Sequence, residues 1–486
     1  MILADRTGDP VPTPTAWRAA ALGILGGGFL VGYRSAGGRS SRIALGAALV
    51  ALGSAVPIAV AGRRPPIPPG APPLDPAQSP PTFSVVVAAR DEAGVLPNLI
   101  ADLGAQDHRT ADGRPKFELV LVDDRSVDGT PQAALRAASV AGLGGVTRLV
   151  RRTGDVPDGK GAALTAVPPE SCRGDVVVVL DADARIAPSF LSTLAGYVAA
   201  GADALTVRRR IFRAERSHLA GAQADEQTLD GEIQRGRWGL GGCSEFRGNG
   251  IVVRRDLLDD VGGWRAQALT EDLDLSSRVA AAHGTRVAWA IDAEVWEEPV
   301  TTWGDLWRQR VRWAEGAIRR TFEHGGAVLS SEQLPIGARL DFAAYAGQLA
   351  IPPLILGAIT GAFLTGRTRV AAILAGSYGA VTAGLAFDAL RWETHQDGAA
   401  LAVRERTSRA ARLALFGAVW LAAVPAAMWR LATRRGPVAY DKMAHDGNAA
   451  DVAPPPAVAS PDGRSSFRPP VAVGPGGTEP GDTAPA

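Results

Sequence analysis

Long apolar runs, uncharged except for Asp388, lie on both sides of a mixed middle region, and they limit what this chain can fold into. The runs are residues 19–33, 43–62, 342–364, 370–390 and about 413–429. A helix that crosses the hydrocarbon core of a bilayer needs about 20 mainly apolar residues. The pattern therefore predicts a transmembrane hairpin over 19–62 and a C-terminal transmembrane region of about three segments over 342–432. A cleaved signal peptide is the alternative for the first run, but the preceding residues are not basic and a second run follows at once.

Composition divides the rest of the 486 residues. Residues 1–18 are a polar N-terminus, and 63–82 are a Pro-rich, semi-rigid linker. A globular domain is predicted over 83–325, and a tail rich in Pro, Gly, Ala and Ser over 448–486 is predicted to be disordered. The net charge of +1 creates no global field that would attract nucleic acid, so no nucleic-acid partner is expected.

Four β-branched segments alternate with helical patterns at the start of the globular domain. The predicted strands are residues 83–89, 117–122, 148–150 and 175–180. Such continuous apolar runs are typical of buried parallel strands, and their alternation with helices predicts an α/β sheet with helices on both faces. In such sheets, ligands bind beyond the carboxyl ends of the strands.

Acidic clusters stand at two of these carboxyl ends. Asp123 and Asp124 follow the second strand, and Asp181 and Asp183 follow the fourth. Two aspartates spaced i, i+2 after a strand can hold Mg²⁺ or Mn²⁺ through oxygen while leaving positions for phosphate. Helix capping and a solvated turn are the alternatives. Lys160 lies between two glycines and can reach a phosphate, or it can simply be solvated.

Two further motifs lie near the end of the domain. Thr270-Glu271-Asp272 supplies carboxylates that can take a proton from a hydroxyl. About forty residues later, Gln309-Arg310-Val311-Arg312-Trp313 supplies cations for phosphate and an aromatic face for a sugar ring. The alternative for this second motif is a basic amphipathic helix on the membrane surface, near 302–320.

The order of these motifs resembles that of the membrane-bound family 2 glycosyltransferases, the group that includes cellulose, chitin and hyaluronan synthases. The resemblance covers roughly residues 83–320. It implies a nucleotide-diphospho-sugar transferase fold of the GT-A type, a mixed sheet flanked by transmembrane helices. It also implies inverting transfer of a sugar from a nucleotide-diphosphate donor, with a UDP-sugar expected, to a polysaccharide or lipid-linked acceptor at the bilayer.

The resemblance assigns a role to each motif. Asp272 is expected to be the general base, and Asp183 with Asp181 is expected to bind Mg²⁺ or Mn²⁺. The residues expected to bind the donor are Ala89, Arg90, Asp123, Lys160, Asp181 and Arg312. Gln309 and Arg310 would assist at the diphosphate, and Trp313 with Glu271 would contact the acceptor.

Two other functions remain open. One is a catalytically silent membrane scaffold that keeps a nucleotide-binding fold. The other is a nucleotidyl or phosphoryl transferase on a similar sheet. The sequence contains no Gly-x-x-x-x-Gly-Lys-Ser/Thr motif, which argues against a P-loop form of the latter.

The arginines give a mixed answer about membrane topology. A nucleotide-sugar enzyme needs its catalytic domain in the cytoplasm, so we expect a multi-pass plasma-membrane protein with that domain inside. Two spans before the domain and three after it would then place six arginines outside, against the positive-inside rule. These are Arg34, Arg39, Arg42, Arg430, Arg434 and Arg435. One of the five segments can reduce the conflict by lying in the membrane interface, and the sequence leaves open which one.

Overall fold

The computed structural model describes residues 13–37, 71, 74, 79–154, 157–395 and 399–434. The second apolar run, 43–62, most of the linker and the tail 448–486 lie outside the described residues, so the expectations for them stay predictions. The first apolar run is part of a helix that begins at Thr15, four residues before the predicted start.

The described residues form one eight-stranded sheet. Its strands are β1 Phe83–Ala89, β2 Phe117–Asp124, β3 Thr147–Arg152, β4 Val176–Asp181, β5 Arg185–Ile186, β6 Ala204–Ile211, β7 Ile251–Arg254 and β8 Ala288–Glu297. Their spatial order is β3-β2-β1-β4-β7-β6-β8-β5. β1 pairs in parallel with β2 and β4, whereas β7 is antiparallel to β4 and β6. The predicted α/β class with a mixed sheet is therefore confirmed.

Strand direction collects the functional segments at one edge of this sheet. β6 is antiparallel to β7 and parallel to β8, so β1, β2, β4, β6 and β8 all end at the same edge. β7 begins at that edge, which places the preceding Gly248–Gly250 turn there as well. Six chain segments that are far apart in sequence therefore meet at one place.

Helices cover the sheet and continue beyond it. The first eight are α1 Thr15–Gly37, α2 Leu96–Gly104, α3 Thr130–Val140, α4 Lys160–Leu164, α5 Phe190–Ala199, α6 His218–Gly239, α7 Arg255–Asp260 and α8 Glu271–His283. The others are α9 Trp303–Ser330, α10 Ile336–Gly347, α11 Ile351–Leu364, α12 Thr368–Ala389, α13 Val403–Phe416 and α14 Ala418–Thr433.

Two hydrophobic layers hold the sheet between helices. Alternate residues of β1 point to opposite faces. Val85 and Val87 pack in one layer with Leu99 of α2, and Val86 packs in the other with Leu275 of α8. Both faces of the central parallel strands are buried, as the continuous β-branched runs predict.

Four described segments are long and apolar enough to cross a membrane. They are Thr15–Ala36, Ile336–Leu364, Thr368–Ala389 and Val403–Thr433. Pro352 and Pro353 do not break the second segment. They occupy the first turn of α11, where the missing N–H groups cost little.

Glycines allow α1 and α11 to pack closely. A Cβ atom at Gly32 would overlap the carbonyl oxygen of Leu354, and one at Gly357 would overlap that of Phe29. Gly28 and Gly32 are four residues apart, and the same spacing relates Gly357 and Gly361. This small-residue spacing is how helices approach each other where no water drives them together. Residue numbers increase in the same direction along both helices, so α1 and α11 run in parallel.

We expect Gly32→Ala to destabilise the protein by about 1–3 kcal/mol, because the added methyl group forces the two helices apart. Gly27→Ala is the matched control on the same helix, since a Cβ atom there meets no atom within 4 Å. Thermal unfolding in detergent should show a lower midpoint for Gly32→Ala and an unchanged or higher midpoint for Gly27→Ala. Equal midpoints would show that the close approach does not matter.

Candidate active site

A cavity of about 640 Å³ lies at the edge where the strands end. Its polar wall comes from the strand ends and from the first residues of α8. Its opposite wall comes from α9 and from the apolar helices α10 to α14. The cavity therefore joins the two kinds of structure that the sequence predicts, a nucleotide-type sheet edge and a membrane region.

Lys160 occupies the centre of the polar wall. Its ammonium nitrogen lies 2.5 Å from Oδ1 of Asp181 and donates a 2.8 Å hydrogen bond to the carbonyl oxygen of Gly248. Oε1 of Glu271 is 3.5 Å away. Burial acts to lower the pKa of Lys160, but Asp181 and Glu271 outweigh it, and the pKa is raised above its ordinary value. Lys160 is therefore a permanent cation between the two groups of carboxylates.

The turn after β4 holds both predicted metal ligands against the cavity. The backbone N–H of Asp181 donates to Oδ1 of Asn249 at 3.1 Å. Oδ2 of Asp183 accepts the backbone N–H of Glu298 at 3.1 Å. Both side chains line the cavity, and carboxylate oxygens are the ligands that Mg²⁺ and Mn²⁺ prefer. The donor set therefore fits such an ion, which would share the Asp181 carboxylate with the single ammonium group of Lys160.

The end of β2 differs in detail from the sequence prediction. Asp124 lines the cavity, whereas Asp123 is not in its wall among the described residues. The Asp123 carboxylate accepts the backbone N–H of Ser126 at 3.2 Å and lies 3.3 Å from Nε of Arg151. Successive strand residues point to opposite sides, so only one of the two neighbours faces the ligand space. The other two expected donor contacts, Ala89 and Arg90, do line the cavity.

Asp272 stands in the first turn of α8 and faces the cavity beside Glu271. One of its oxygens accepts the backbone N–H of Leu273 at 2.9 Å. Burial, and after it repulsion from Glu271, raises the pKa of Asp272 from 3.8 to about 6. A carboxylate with this pKa is ionised at neutral pH and is a stronger base than an ordinary aspartate.

Asp274 lies two residues further on but has a different role. Its carboxylate contacts Arg265 at 3.0 Å, Arg278 at 2.8 Å and Nε2 of His324 at 2.8 Å. Burial alone would raise its pKa, yet Arg278 and the other partners hold the pKa well below its ordinary value. Asp274, Glu323 and His324 also have ligand-type atoms within 4.8 Å of one another. Because two guanidinium groups already neutralise this cluster, it ties α8 to α9 and does not suit a cation.

The predicted arginine–tryptophan motif falls on two sides of α9. Gln309, Arg312 and Trp313 line the cavity, whereas Arg310 is not in its wall among the described residues. Arg310 is only 1% exposed and forms an ion pair with Glu226 of α6. The expected direct contact of Arg310 with the diphosphate is therefore not supported by its position.

Arg310 instead supports the aromatic ring of Trp313. Its guanidinium carbon lies 4.3 Å from the ring centroid, and that of Arg209 lies 5.7 Å from it. Such cation–π contacts orient the ring. Glu226, which pairs with Arg310, also accepts a 2.6 Å hydrogen bond from Nε1 of Trp420 on α14.

Two residues that line the cavity, Arg209 and Glu226, were not among the site residues expected from the sequence. Arg209 stands in the run Arg208–Arg210 near the end of β6, and strand alternation is the signal that separates it from its neighbours. Arg208 and Arg210 both pair with Glu294 and Glu393, whereas Arg209 pairs with Glu297 in the cavity wall. For Glu226, on a long polar helix, the sequence contains no comparable signal.

The side of the cavity that α10 to α14 line is mainly apolar, and we call it the apolar lobe. The residues that line this lobe include Leu349, Ile351, Pro352, Val381, Leu385 and Val424. Trp313 and Trp420 also line the cavity. A molecule with a polar end and an apolar chain therefore fits the whole cavity better than a wholly polar one.

Comparison with known proteins identifies the family of this domain. Residues 80–316 match the family model described as glycosyltransferase like family 2. This part of the chain belongs to glycosyltransferase family 2. The family suggested by the motif order is thereby confirmed.

Among its relatives is the beta-monoglucosyldiacylglycerol synthase of Nostoc sp., which is 34% identical over 256 residues. The match covers 52% of this chain and 52% of the relative. The probable glycosyltransferase YdaM of Bacillus subtilis is 28% identical over 210 residues, covering 42% of this chain and 48% of that protein. The chain thus spans about half the length of the curated relatives it matches.

A solved structure has a similar arrangement. It is the mannosyltransferase PcManGT from Pyrobaculum calidifontis in complex with GDP-Man and Mn²⁺. It is 23% identical with a TM-score of 0.48, and the alignment covers 84% of this chain and 99% of that one.

The raised pKa of Asp272 predicts a pH-dependent gain of stability in Asp272→Asn. The folded-state pKa is about 6 and the ordinary value is 3.8. Above pH 6 the folded state must hold the charge, so the variant should be more stable by about 1–2 kcal/mol at pH 8. This difference in stability should shrink as the pH falls below 6. There the Asp272 carboxyl group of the folded wild type becomes protonated, and the cost of holding its charge disappears.

Thermal melts of both proteins across pH 5–8 measure this difference. The exposed Asp260 is the control position, and Asp260→Asn should follow the wild type at every pH. A variant Asp272→Asn that melts below the wild type at pH 8 would contradict the assignment.

Proposed function

We propose that this protein is a metal-dependent, inverting glycosyltransferase of the plasma membrane. It transfers a sugar from a nucleotide-diphosphate donor, a UDP-sugar, to a hydroxyl group of a lipid acceptor. The observation that carries the proposal is one cavity that Asp181, Asp183, Asp272 and Trp313 all line and that includes the apolar lobe. The catalytic domain then lies on the cytoplasmic side, where nucleotide sugars are made.

The donor half must bind the nucleotide and stabilise charge that develops on the leaving diphosphate. Asp181 and Asp183 would hold Mg²⁺ or Mn²⁺, which neutralises phosphate oxygens when it is bound. Arg312 lines the same space and adds a fixed cation, and Lys160 remains charged beside Asp181. Positive groups placed where negative charge appears lower the barrier most effectively.

The acceptor half must position a hydroxyl group and remove its proton. Asp272 faces the cavity with a pKa raised to about 6, suited to a base at neutral pH. Trp313 supplies a flat face, held in orientation by Arg310 and Arg209. Attack by the hydroxyl group on the side opposite the diphosphate inverts the anomeric carbon in one step, so no enzyme nucleophile is required.

Two observations favour a lipid acceptor over a growing polysaccharide. The inner lobe is lined by apolar side chains such as Val381, Leu385 and Val424. The matching relative from Nostoc sp. is named as a synthase of a monoglucosyldiacylglycerol. An acyl chain suits the apolar part of this lining, whereas a sugar polymer would meet few polar side chains there, among them Gln348 and Thr382.

A catalytically silent scaffold is the alternative. A scaffold gains nothing from a buried aspartate whose ionisation is unfavourable, and such a group costs stability. Proteins keep groups of this kind mainly at functional sites. The raised pKa of Asp272 therefore favours the enzyme.

The direct test is a donor screen with purified protein and diacylglycerol vesicles, followed by mass analysis of the lipid products. We expect one hexose to be added to the lipid. Asp272→Asn should reduce transfer by about 100-fold or more, because it removes the general base, and should leave UDP binding within about twofold. Full transfer by this variant would exclude Asp272 as the base, and a polymer ladder would exclude the lipid acceptor.

The transfer rate should fall about tenfold per pH unit below pH 6, since the protonated base cannot accept a proton. The apparent pKa of this acid limb should lie near 6, the value for Asp272. Initial rates at subsaturating donor and acceptor measure it, because kcat/KM reports the pKa of the free enzyme. An acid limb near pH 4 would mean that the base is an ordinary exposed carboxylate.

Removal of the metal ion or of its ligands should weaken binding of the nucleotide donor. A chelator, or Asp183→Asn, should weaken UDP binding by at least the roughly 10–100-fold that follows loss of outer-shell partners at metal sites. Calorimetry of UDP binding with and without Mn²⁺ measures this loss, and Asp272→Asn serves as the control with its own metal dependence intact. Equal affinity for UDP in Asp183→Asn and the wild type would exclude the assigned ion site.

A further inference from the structure

The apolar segment Val403–Thr433 is the last candidate span, and it consists of two helices of different character. α13 carries Arg409 and Arg412, whose guanidinium groups lie 2.7 and 2.6 Å from the fully buried carboxylate of Asp225 on α6. Since α6 packs against the sheet strand β6, α13 is held at the catalytic domain. The residues after Arg412 are then left to cross the membrane.

α14 by itself is shorter than the hydrocarbon core, although the last turn of α13 continues into it through Gly417, whose backbone is helical. α14 contains 16 residues, including Pro425. At about 1.5 Å per residue this is roughly 24 Å, whereas the hydrocarbon core is about 30 Å thick. Length alone does not decide the matter, because a bilayer can thin around a short helix.

α14 contacts the catalytic domain near its own start and near its own end. Near its start, Nε1 of Trp420 donates a 2.6 Å hydrogen bond to Glu226 of α6. Near its end, Nε of Arg430 lies 2.8 Å from Oε2 of Glu315, a fully buried residue of α9. The carbonyl oxygen of Ala432 accepts a 3.1 Å hydrogen bond from Arg18, in the first turn of α1.

Between these contacts α14 packs along the side of α9. Its apolar residues Ala423, Ala427 and Leu431 form one buried cluster with Val311 and Ile318 of α9. A helix that crossed the bilayer would leave the catalytic domain after its first turns. α14 instead follows a catalytic-domain helix over most of its length.

The other apolar helices behave differently. Arg319 of α9 donates a 3.0 Å hydrogen bond to Thr13, just before α1, which places the start of α1 at the catalytic domain. The end of α1 meets the turn between α11 and α12, where Arg367 donates to the carbonyl oxygen of Ala36 at 3.4 Å. After α12, Arg391 is 2.8 Å from Glu232 of α6, so the chain has returned to the catalytic domain. α1 and α11 thus run away from the domain, and α12 runs back.

We propose that α14 lies in the membrane interface beside α9, and that α1, α11 and α12 are the crossing helices in the described part of the chain. The residues after α14 then emerge on the same side as the catalytic domain. This arrangement places Arg430 and Arg434 on the cytoplasmic side, which satisfies the positive-inside rule. It also explains why α14 can supply Trp420 and Val424 to the cavity wall at the level of the substrate.

The lipid bilayer is the partner that this surface fits. Trp429 of α14 is 58% exposed, and Trp303 of α9 is 60% exposed. Tryptophan is enriched at the boundary between headgroups and acyl chains, and arginine can extend to the headgroups. Two helices that lie side by side with exposed tryptophans form a surface suited to that boundary.

Labelling of single cysteines from one side of the membrane tests this proposal. One variant is Thr365→Cys, in the exposed turn between α11 and α12, and the other is Ala486→Cys, the last residue of this sequence. The native cysteines can stay in place as a silent background, because Cys172 and Cys243 are buried and burial raises the pKa of Cys243 to about 12. An impermeant maleimide is added to right-side-out and to inverted vesicles.

We expect Thr365→Cys and Ala486→Cys to react from opposite sides, and the wild type from neither. Reaction of both from the same side would show that α14 crosses the bilayer and would overturn the proposal. The result compares two positions of one chain, so it does not depend on the absolute orientation. The labelling experiment also requires no glycosyl transfer, so its outcome is independent of whether the proposed function is correct.

Discussion

Repulsion between carboxylates is the constraint that this site must overcome. Asp181 belongs to the proposed donor half of the cavity and Glu271 to the proposed acceptor half, and Lys160 contacts both of them. With a neutral residue at this position, the two acidic groups would repel each other across a partly buried space of low dielectric. The lysine is fixed by the carbonyl oxygen of Gly248, so the turn before β7, the turn after β4 and the start of α8 are brought together around one charge.

The same arrangement explains why two neighbouring aspartates differ. Asp274 is surrounded by two arginines and a histidine, which keep it ionised and occupy its oxygens. Asp272 faces the cavity, where burial and the charge of Glu271 raise its pKa to about 6. One residue provides the rigid attachment of α8 to α9, and the other is left as a basic group aimed at the ligand space.

The site depends equally on the membrane helices. Trp313 is oriented by Arg310, Arg310 is paired with Glu226, and Glu226 is held by Trp420 of α14. The position of the acceptor platform is therefore coupled to the helices that would contact lipid. The close contact of α1 with α11 in turn fixes the wall of the apolar lobe.

Much of this could be predicted from the sequence, because periodicity and strand-end chemistry are local. The β-branched runs predicted β1, β2 and β4, and the motif order predicted the family and the placement of Asp181, Asp183 and Asp272 in one site. Three features required the structure. Side-chain direction separates Asp124 from Asp123 and Arg312 from Arg310. The contacts of Arg209 and Glu226 are made across long sequence distances. Hydropathy measures how apolar α14 is but not the direction in which it runs.

The central claim is that one cavity serves both the donor and a lipid acceptor, and filling its apolar lobe tests this most directly. Leu385 of α12 lines the lobe, whereas Ile373 of the same helix is 52% exposed on the outside. We measure transfer to a long-chain lipid and UDP binding for Leu385→Trp and for the control Ile373→Trp. We expect Leu385→Trp to lose lipid transfer by about tenfold or more with unchanged UDP affinity, and Ile373→Trp to behave as the wild type. Undiminished lipid transfer by Leu385→Trp would contradict this claim.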